Sequence, residues 1–223
     1  MNIGFIGLGK LGLPCALAIE KAGHYVCGYD IDSNVKTILE TKVLPYKEVK
    51  ADEYLLDHNI DFCDVSEVVK RSEIIFVPIQ TPHDPKYEGI TRIPEDRVDF
   101  DYSWLKEGIK GLSEEIEKQG EDKIVVIIST VLPGTIEREI KPLLNKYVKL
   151  CYNPFFIAMG TTINDFVNPE FVLFGHDDEH AYERTKELYS TIHSKPVYKC
   201  TIEEAEMIKV TYNTFITMKI CLA

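Results

Sequence analysis

Short apolar runs alternate along this chain with stretches in which apolar residues recur every three or four positions, and the alternation persists to about residue 200. The runs at 2–6, 24–29, 73–79, 123–129, 148–152, 171–174 and 196–199 predict strands, with a weaker one at 60–63. Helical spacing predicts a helix directly after residue 12 and others at 33–40, 51–58, 65–70, 101–119 and 134–146, with one more that starts at Asp177 or Asp178 and runs through Tyr189. Ser33 is positioned to cap the second of these, and Pro133 suits the first turn of the helix at 134–146. Strands alternating with helices imply an α/β fold: a doubly wound, mostly parallel sheet covered on both faces. A last helix begins at Thr201, with Glu204 at the capping-box position, and is apolar around much of its circumference.

The first unit of this pattern carries chemistry. Residues 2–6 run straight into Gly7-Leu8-Gly9-Lys10-Leu11-Gly12, which is G-x-G-x-x-G between a strand and a helix, the context that gives the motif its meaning. Gly7 permits a tight turn, Gly9 leaves room for a pyrophosphate beside the backbone, and Gly12 lets helix and sheet pack closely. The pyrophosphate is then met by free N–H groups at a helix N-terminus. Asp30, at the end of the second strand, is placed to accept from the hydroxyls of an adenosine ribose. No arginine follows it in Ile31-Asp32-Ser33-Asn34 to receive a 2′-phosphate, so NAD is expected over NADP. These residues predict a Rossmann-like dinucleotide-binding domain over 1–200, with 201–223 beginning a separate helical element.

Composition narrows the partners. A chain of 223 residues that is 45% hydrophobic and 27% charged can bury a full core. The net charge of −11 and the absence of a basic stripe argue against nucleic acid. Six cysteines without C-x-x-C spacing read as reduced and structural, and no metal site is expected. With no signal peptide and no apolar run near the ~20 residues of a membrane span, the expected location is the cytoplasm.

Ligands of open α/β sheets gather at the carboxyl ends of the strands. Besides the glycine turn and Asp30, those ends supply Thr81-Pro82, Ser129-Thr130 and Asn153-Pro154. The polar stretch 83–100 is long for a connection and is expected to shape a substrate or subunit contact. On the last helix, Lys209 and Asn213 share a face at i, i+4 spacing. Side by side, an amine and an amide can polarise and deprotonate an alcohol, and burial would lower the lysine pKa for that task.

In this order the motifs resemble those of the UDP-glucose/GDP-mannose dehydrogenase family: GFIGLGKLGLP, Thr81-Pro82, the segment Ser129-Thr130-Val131-Leu132-Pro133-Gly134-Thr135, then Asn153-Pro154 through Gly160-Thr161 to Pro169, and the Lys209/Asn213 helix. The resemblance implies oxidation of the C6 alcohol of a nucleotide sugar with NAD, by way of a thioester on a cysteine, in polysaccharide biosynthesis. It implies that Gly7, Gly9, Lys10, Leu11, Gly12, Asp30, Thr81 and Thr130 contact NAD, with Thr130 also near the reacting centre. Lys209 and Asn213 would hold the sugar and the developing oxyanion, and the last helix would pair two copies into a homodimer. Two departures stand out: Phe155 and Met159 occupy positions where the family carries glutamates, and the family's G-G-x-C-x-P-K-D segment is not found within 1–223. The chain is therefore expected to be incomplete for catalysis by itself. The alternatives are a β-hydroxyacid dehydrogenase-like enzyme, which shares the opening and an i, i+4 Lys/Asn pair, and a stand-alone NAD-binding module.

Overall fold

A computed structural model of the chain describes residues 1–88, 92 and 94–223. Eight strands, β1 (Asn2–Ile6), β2 (Tyr25–Tyr29), β3 (Asp61–Phe62), β4 (Ile74–Val77), β5 (Lys123–Ile127), β6 (Val148–Tyr152), β7 (Val172–His176) and β8 (Val197–Cys200), form one sheet in the order β3-β2-β1-β4-β5-β6-β7-β8. From β3 through β6 every pairing is parallel. The sheet then reverses: β7 runs antiparallel to β6, with Cys151 opposite His176 and Tyr152 opposite Gly175, and β8 follows β7 in parallel. The strand order turns back between β1 and β4, which opens a crevice at their carboxyl ends.

Both faces of the sheet are buried along its central strands, where residues alternate in direction without alternating in polarity. Ile3, Phe5, Ile74, Phe76, Ile124 and Val126 face one core, and Ile6, Ile75, Val77, Val125 and Ile127 face the other. Helices α1 (Gly12–Lys21), α2 (Asn34–Thr41), α3 (Ala51–Leu56), α6 (Thr162–Val167) and α7 (Glu179–Ile192) supply the first core through Leu17, Leu39, Leu55, Phe166 and Leu188. The second takes Val69 from α4 (Val65–Arg71), Ile109 from α5 (Ser103–Gln119) and Ile202 from α8 (Ile202–Leu222). Gly175 lets α8 lie against β7, since a Cβ there would stand 2.7 Å from Ile202 Cα.

Local departures from the sequence pattern have local causes. Ser33 makes no capping bond; the Asp32 carboxylate, one residue earlier, accepts from the Asn34 N–H at 2.9 Å and starts α2. The expected helix at 134–146 is a π-helical stretch, Ile136–Ile140, followed by one 3₁₀ turn, Lys141–Leu143, because Pro142 has no N–H to continue an α ladder. Helix α3 ends before His58, whose ring turns back to accept from Ile60 N–H and donate to the Leu39 carbonyl. The stretch 83–100 contains a 3₁₀ turn, Pro85–Tyr87; residues 89–91 and 93 lie outside the described residues. The Thr201/Glu204 capping box forms as predicted.

Candidate functional site

The parallel pairing of β1 with β2 sets Ile6 beside Tyr29 and so brings Asp30 to the glycine turn. Gly7 has φ +112°, and its N–H donates to the Tyr29 carbonyl at 2.8 Å. That backbone conformation favours glycine. A Cβ on Gly12 would collide with the Gly7 carbonyl oxygen, whereas a Cβ on Gly9 would meet no atom within 4 Å, so the Gly9 backbone stands open. The Asp30 carboxylate accepts from Leu8 N–H at 2.6 Å through one oxygen and from Asp32 N–H at 2.8 Å through the other. A carboxylate has about four lone-pair sites, so capacity remains for two ribose hydroxyls.

From this turn a cleft of ≈ 1080 Å³ runs along the carboxyl edge of the sheet. Gly7, Gly9, Lys10, Leu11 and Asp30 line one end, Thr81, Ser129 and Thr130 the middle, and Lys209 and Asn213 the other end. Nine of the ten predicted site residues thus face one cavity; Gly12 lies beneath the turn, where its role is packing. Lys10 holds its ammonium 5.7 Å from the Tyr46 ring centroid. The two threonines are joined: Thr81 Oγ1 donates to the Thr130 carbonyl at 2.6 Å, while Ser129 Oγ bonds back to the Ile79 carbonyl. These bonds tie the ends of β4 and β5 together beside the crevice.

At the far end Lys209 is only 7% exposed. Its Nζ donates to the Phe155 carbonyl at 2.7 Å and to Asn213 Oδ1 at 3.1 Å, and lies 5.0 Å from the Phe156 ring centroid. Burial lowers its pKa from 10.5 to about 8. The wall beside it is apolar, with Phe155, Ile157 and Met159 lining the cleft. Asn153, a candidate by its position after β6, points the other way. It is buried, donating to the Leu173 carbonyl and accepting from Tyr189 OH, and serves the core.

Two features were missed in the sequence. One face of α5 lines the cleft, with Trp104, Glu107, Gly108, Gly111 and Glu115 at helical spacing, a mixture of acids and glycines that reads as a solvated helix face in the sequence. Glu206, one turn before Lys209, is 1% exposed and accepts from Gly134 N–H at 2.6 Å and Ile136 N–H at 2.8 Å. Among the described residues no cysteine lines the cleft; Cys15, Cys27 and Cys151 are buried, Cys63 and Cys200 half-buried, and Cys221 is exposed on α8.

An open backbone at Gly9, a glycine under the turn that no other residue could replace and a carboxylate with spare acceptor capacity fit a dinucleotide. Residues 1–193 match the NAD binding domain of the UDP-glucose/GDP-mannose dehydrogenase family. The chain belongs to this family. Its domain binds NAD, and the match separates it from the β-hydroxyacid dehydrogenases that share its opening motif. Among curated relatives, an uncharacterized protein of Methanocaldococcus jannaschii is 32% identical over 99% of this chain. The UDP-glucose 6-dehydrogenase AglM of Haloferax volcanii is 28% identical over the whole of it. A crystal structure of a ternary complex of GDP-mannose dehydrogenase from Pseudomonas aeruginosa superposes with a TM-score of 0.88 over 99% of this chain at 26% identity. The chain spans 24% of the first protein, 53% of the second and 51% of the third, about half the length of the named dehydrogenases.

Proposed function

We propose that residues 1–223 form the cofactor-binding and alcohol-activating half of a nucleotide-sugar 6-dehydrogenase, one that oxidises the C6 alcohol of a UDP- or GDP-sugar with NAD. The observation that carries this reading is the placement of Lys209, buried with no carboxylate partner among the described residues, at the opposite end of the cleft from the glycine turn and Asp30. Gly7, Gly9, Lys10, Leu11, Asp30 and Thr81 are the residues that would hold NAD, and Thr130 would sit between cofactor and substrate. When bound, NAD supplies the acceptor for the hydride that leaves the alcohol carbon. A lysine with a pKa of about 8 is partly neutral near physiological pH. In its neutral form the two N–H groups are taken by the Phe155 carbonyl and Asn213 Oδ1, which leaves the Nζ lone pair to accept the alcohol proton. Asn213 fixes that orientation.

The second oxidation, from aldehyde to acid, needs a nucleophile that this cleft does not contain, because no cysteine reaches it. Residues 1–223 by themselves therefore lack the second oxidation, and, spanning about half the length of the named dehydrogenases, are expected to bind NAD but, without the remaining half to hold the nucleotide sugar, to release no NADH from UDP-glucose or GDP-mannose. We assign 1–200 to the NAD-binding domain and 201–223 to the start of a connecting helix that pairs two copies, in a cytoplasmic enzyme of polysaccharide biosynthesis. Among the described residues no helix is long and apolar enough to cross a membrane. The test is to fuse the chain to the C-terminal half of the Pseudomonas aeruginosa enzyme and to follow absorbance at 340 nm with a panel of UDP- and GDP-sugars. NADH formation that is lost in Lys209→Met supports the reading. A folded fusion that binds NAD but oxidises only 3-hydroxy acids would overturn it.

A further inference from the structure

Helix α8 reaches the rest of the protein through few polar contacts, and the most buried of them comes from Glu206. Its two carboxylate oxygens accept from the backbone N–H groups of Gly134 and Ile136, 72 and 70 residues earlier in the chain. Those amides belong to the arc that follows Thr130. The same arc is held on its other side by Tyr102, whose hydroxyl accepts from Leu132 N–H at 3.1 Å and Thr135 Oγ1 at 3.3 Å. Glu206 thus joins the helix that carries Lys209 and Asn213 to the loop that carries Thr130. The charged groups that face it are Glu203 from its own helix and Arg138 beyond the arc, with the Tyr152 hydroxyl beneath; its bonds go to backbone N–H groups instead.

A buried carboxylate is a costly way to hold two helical segments together, since desolvation opposes its charge and an apolar contact would be cheaper. What it offers is direction. Two oxygens on two fixed amides leave the helix no freedom to slide or turn at that point, and Lys209 lies less than one turn further on. We propose that Glu206 is a positioning residue of this site, setting Lys209 in its buried place between the Phe155 carbonyl and Asn213. Its replacement would let the amine move toward solvent while the cofactor end of the cleft is left as it was. The proposal rests on the reading of Lys209 as the proton acceptor only for its catalytic consequence; the placement itself is measured without substrate.

The experiment uses the 223-residue chain and follows acetylation of Lys209 against pH by mass spectrometry, with NAD affinity by calorimetry and Tm recorded in parallel. In the unaltered protein the amine is expected to titrate near 8. Glu206→Gln, which matches the shape but can accept only one of the two N–H bonds, is expected to raise that midpoint by at least one unit, with NAD affinity within twofold. Glu206→Asp, too short to reach both amides, should shift it in the same direction, and it serves if the glutamine variant does not fold. A folded variant with a lowered Tm and Lys209 still titrating near 8 would overturn the proposal, leaving Glu206 a structural residue alone. Loss of NAD binding alongside the shift would also overturn it, because the change would not then be confined to α8.

Discussion

Asp30 does two things with one carboxylate. Its bonds to Leu8 and Asp32 N–H shape the turn, and its remaining lone pairs face the cleft. Asp30→Ala is expected to weaken NAD by about 1–3 kcal/mol in calorimetry, the scale for bonds to a charged group. The unaltered protein should prefer NAD to NADP, and equal affinity would contradict the role given to Asp30. At Lys209 the prediction concerns stability. Burial depresses its folded pKa to about 8, below the 10.5 of an exposed lysine, so below pH 8 both folded and unfolded chains hold the proton and folding bears the full cost of burying it. Between about pH 8 and 10.5 the unfolded chain binds more protons than the folded one, and stability rises with pH. Lys209→Met should accordingly stabilise the protein at pH 7, by on the order of 3 kcal/mol at most, with the difference from the unaltered protein shrinking toward pH 10.5. Denaturant titrations of both proteins at the two pH values check this; a destabilised Met variant at pH 7 would show that its two hydrogen bonds outweigh the desolvation cost. Lys209 and Asn213 were legible from i, i+4 spacing, but Glu206 was not. An acid in the second turn of a capped helix reads as a response to the helix dipole, and only the fold reveals that it is buried against residues 134–136.

At the level of elements, the β1-turn-α1-β2 unit was readable almost residue by residue, because glycine positions, strand ends and the acid constrain one another. Its glycines make opposite predictions. Gly9→Ala leaves the fold intact, since its Cβ points into empty space, yet should abolish measurable NAD binding in calorimetry. Gly12→Ala should instead lower the melting temperature or prevent folding, as its Cβ meets backbone that cannot move aside. Helix α5 offers a reporter. Trp104 is the only tryptophan and lines the cleft, so its fluorescence should change saturably on adding NAD and with the same midpoint as calorimetry. An unchanged spectrum at saturating NAD would place the ligand away from α5. The helix α6 went unpredicted because its six residues, Thr162–Val167, carry only three buried side chains and sit in a polar stretch without flanking period. It is held by long-range bonds: Glu48 accepts from Gly160 and Ile163 N–H, more than a hundred residues away. No local pattern can encode such a partner.

For the whole molecule, strand and helix alternation gave the layered architecture and the crevice, but not the direction of β7, because apolar runs look alike whichever way they point. That reversal sends α8 toward the cofactor edge, where it passes the cleft and continues outward. Beyond Lys209 it exposes Phe215, Met218, Ile220 and Leu222. Such a surface exceeds what monomers ordinarily leave uncovered. Self-association is therefore expected at micromolar concentration and should disappear when residues 214–223 are removed; light scattering on both forms decides it, and a monomeric intact chain would refute it. The joint at Glu206 adds a mechanical consequence. Each residue advances an α-helix by about 100°, so a spin of one position would replace the amine in the cleft by Ile208 or Val210. The Lys209 end of the cleft is thus indexed by angle, and a torque applied to the outer turns of α8, by whatever packs against them, is resisted at two backbone amides.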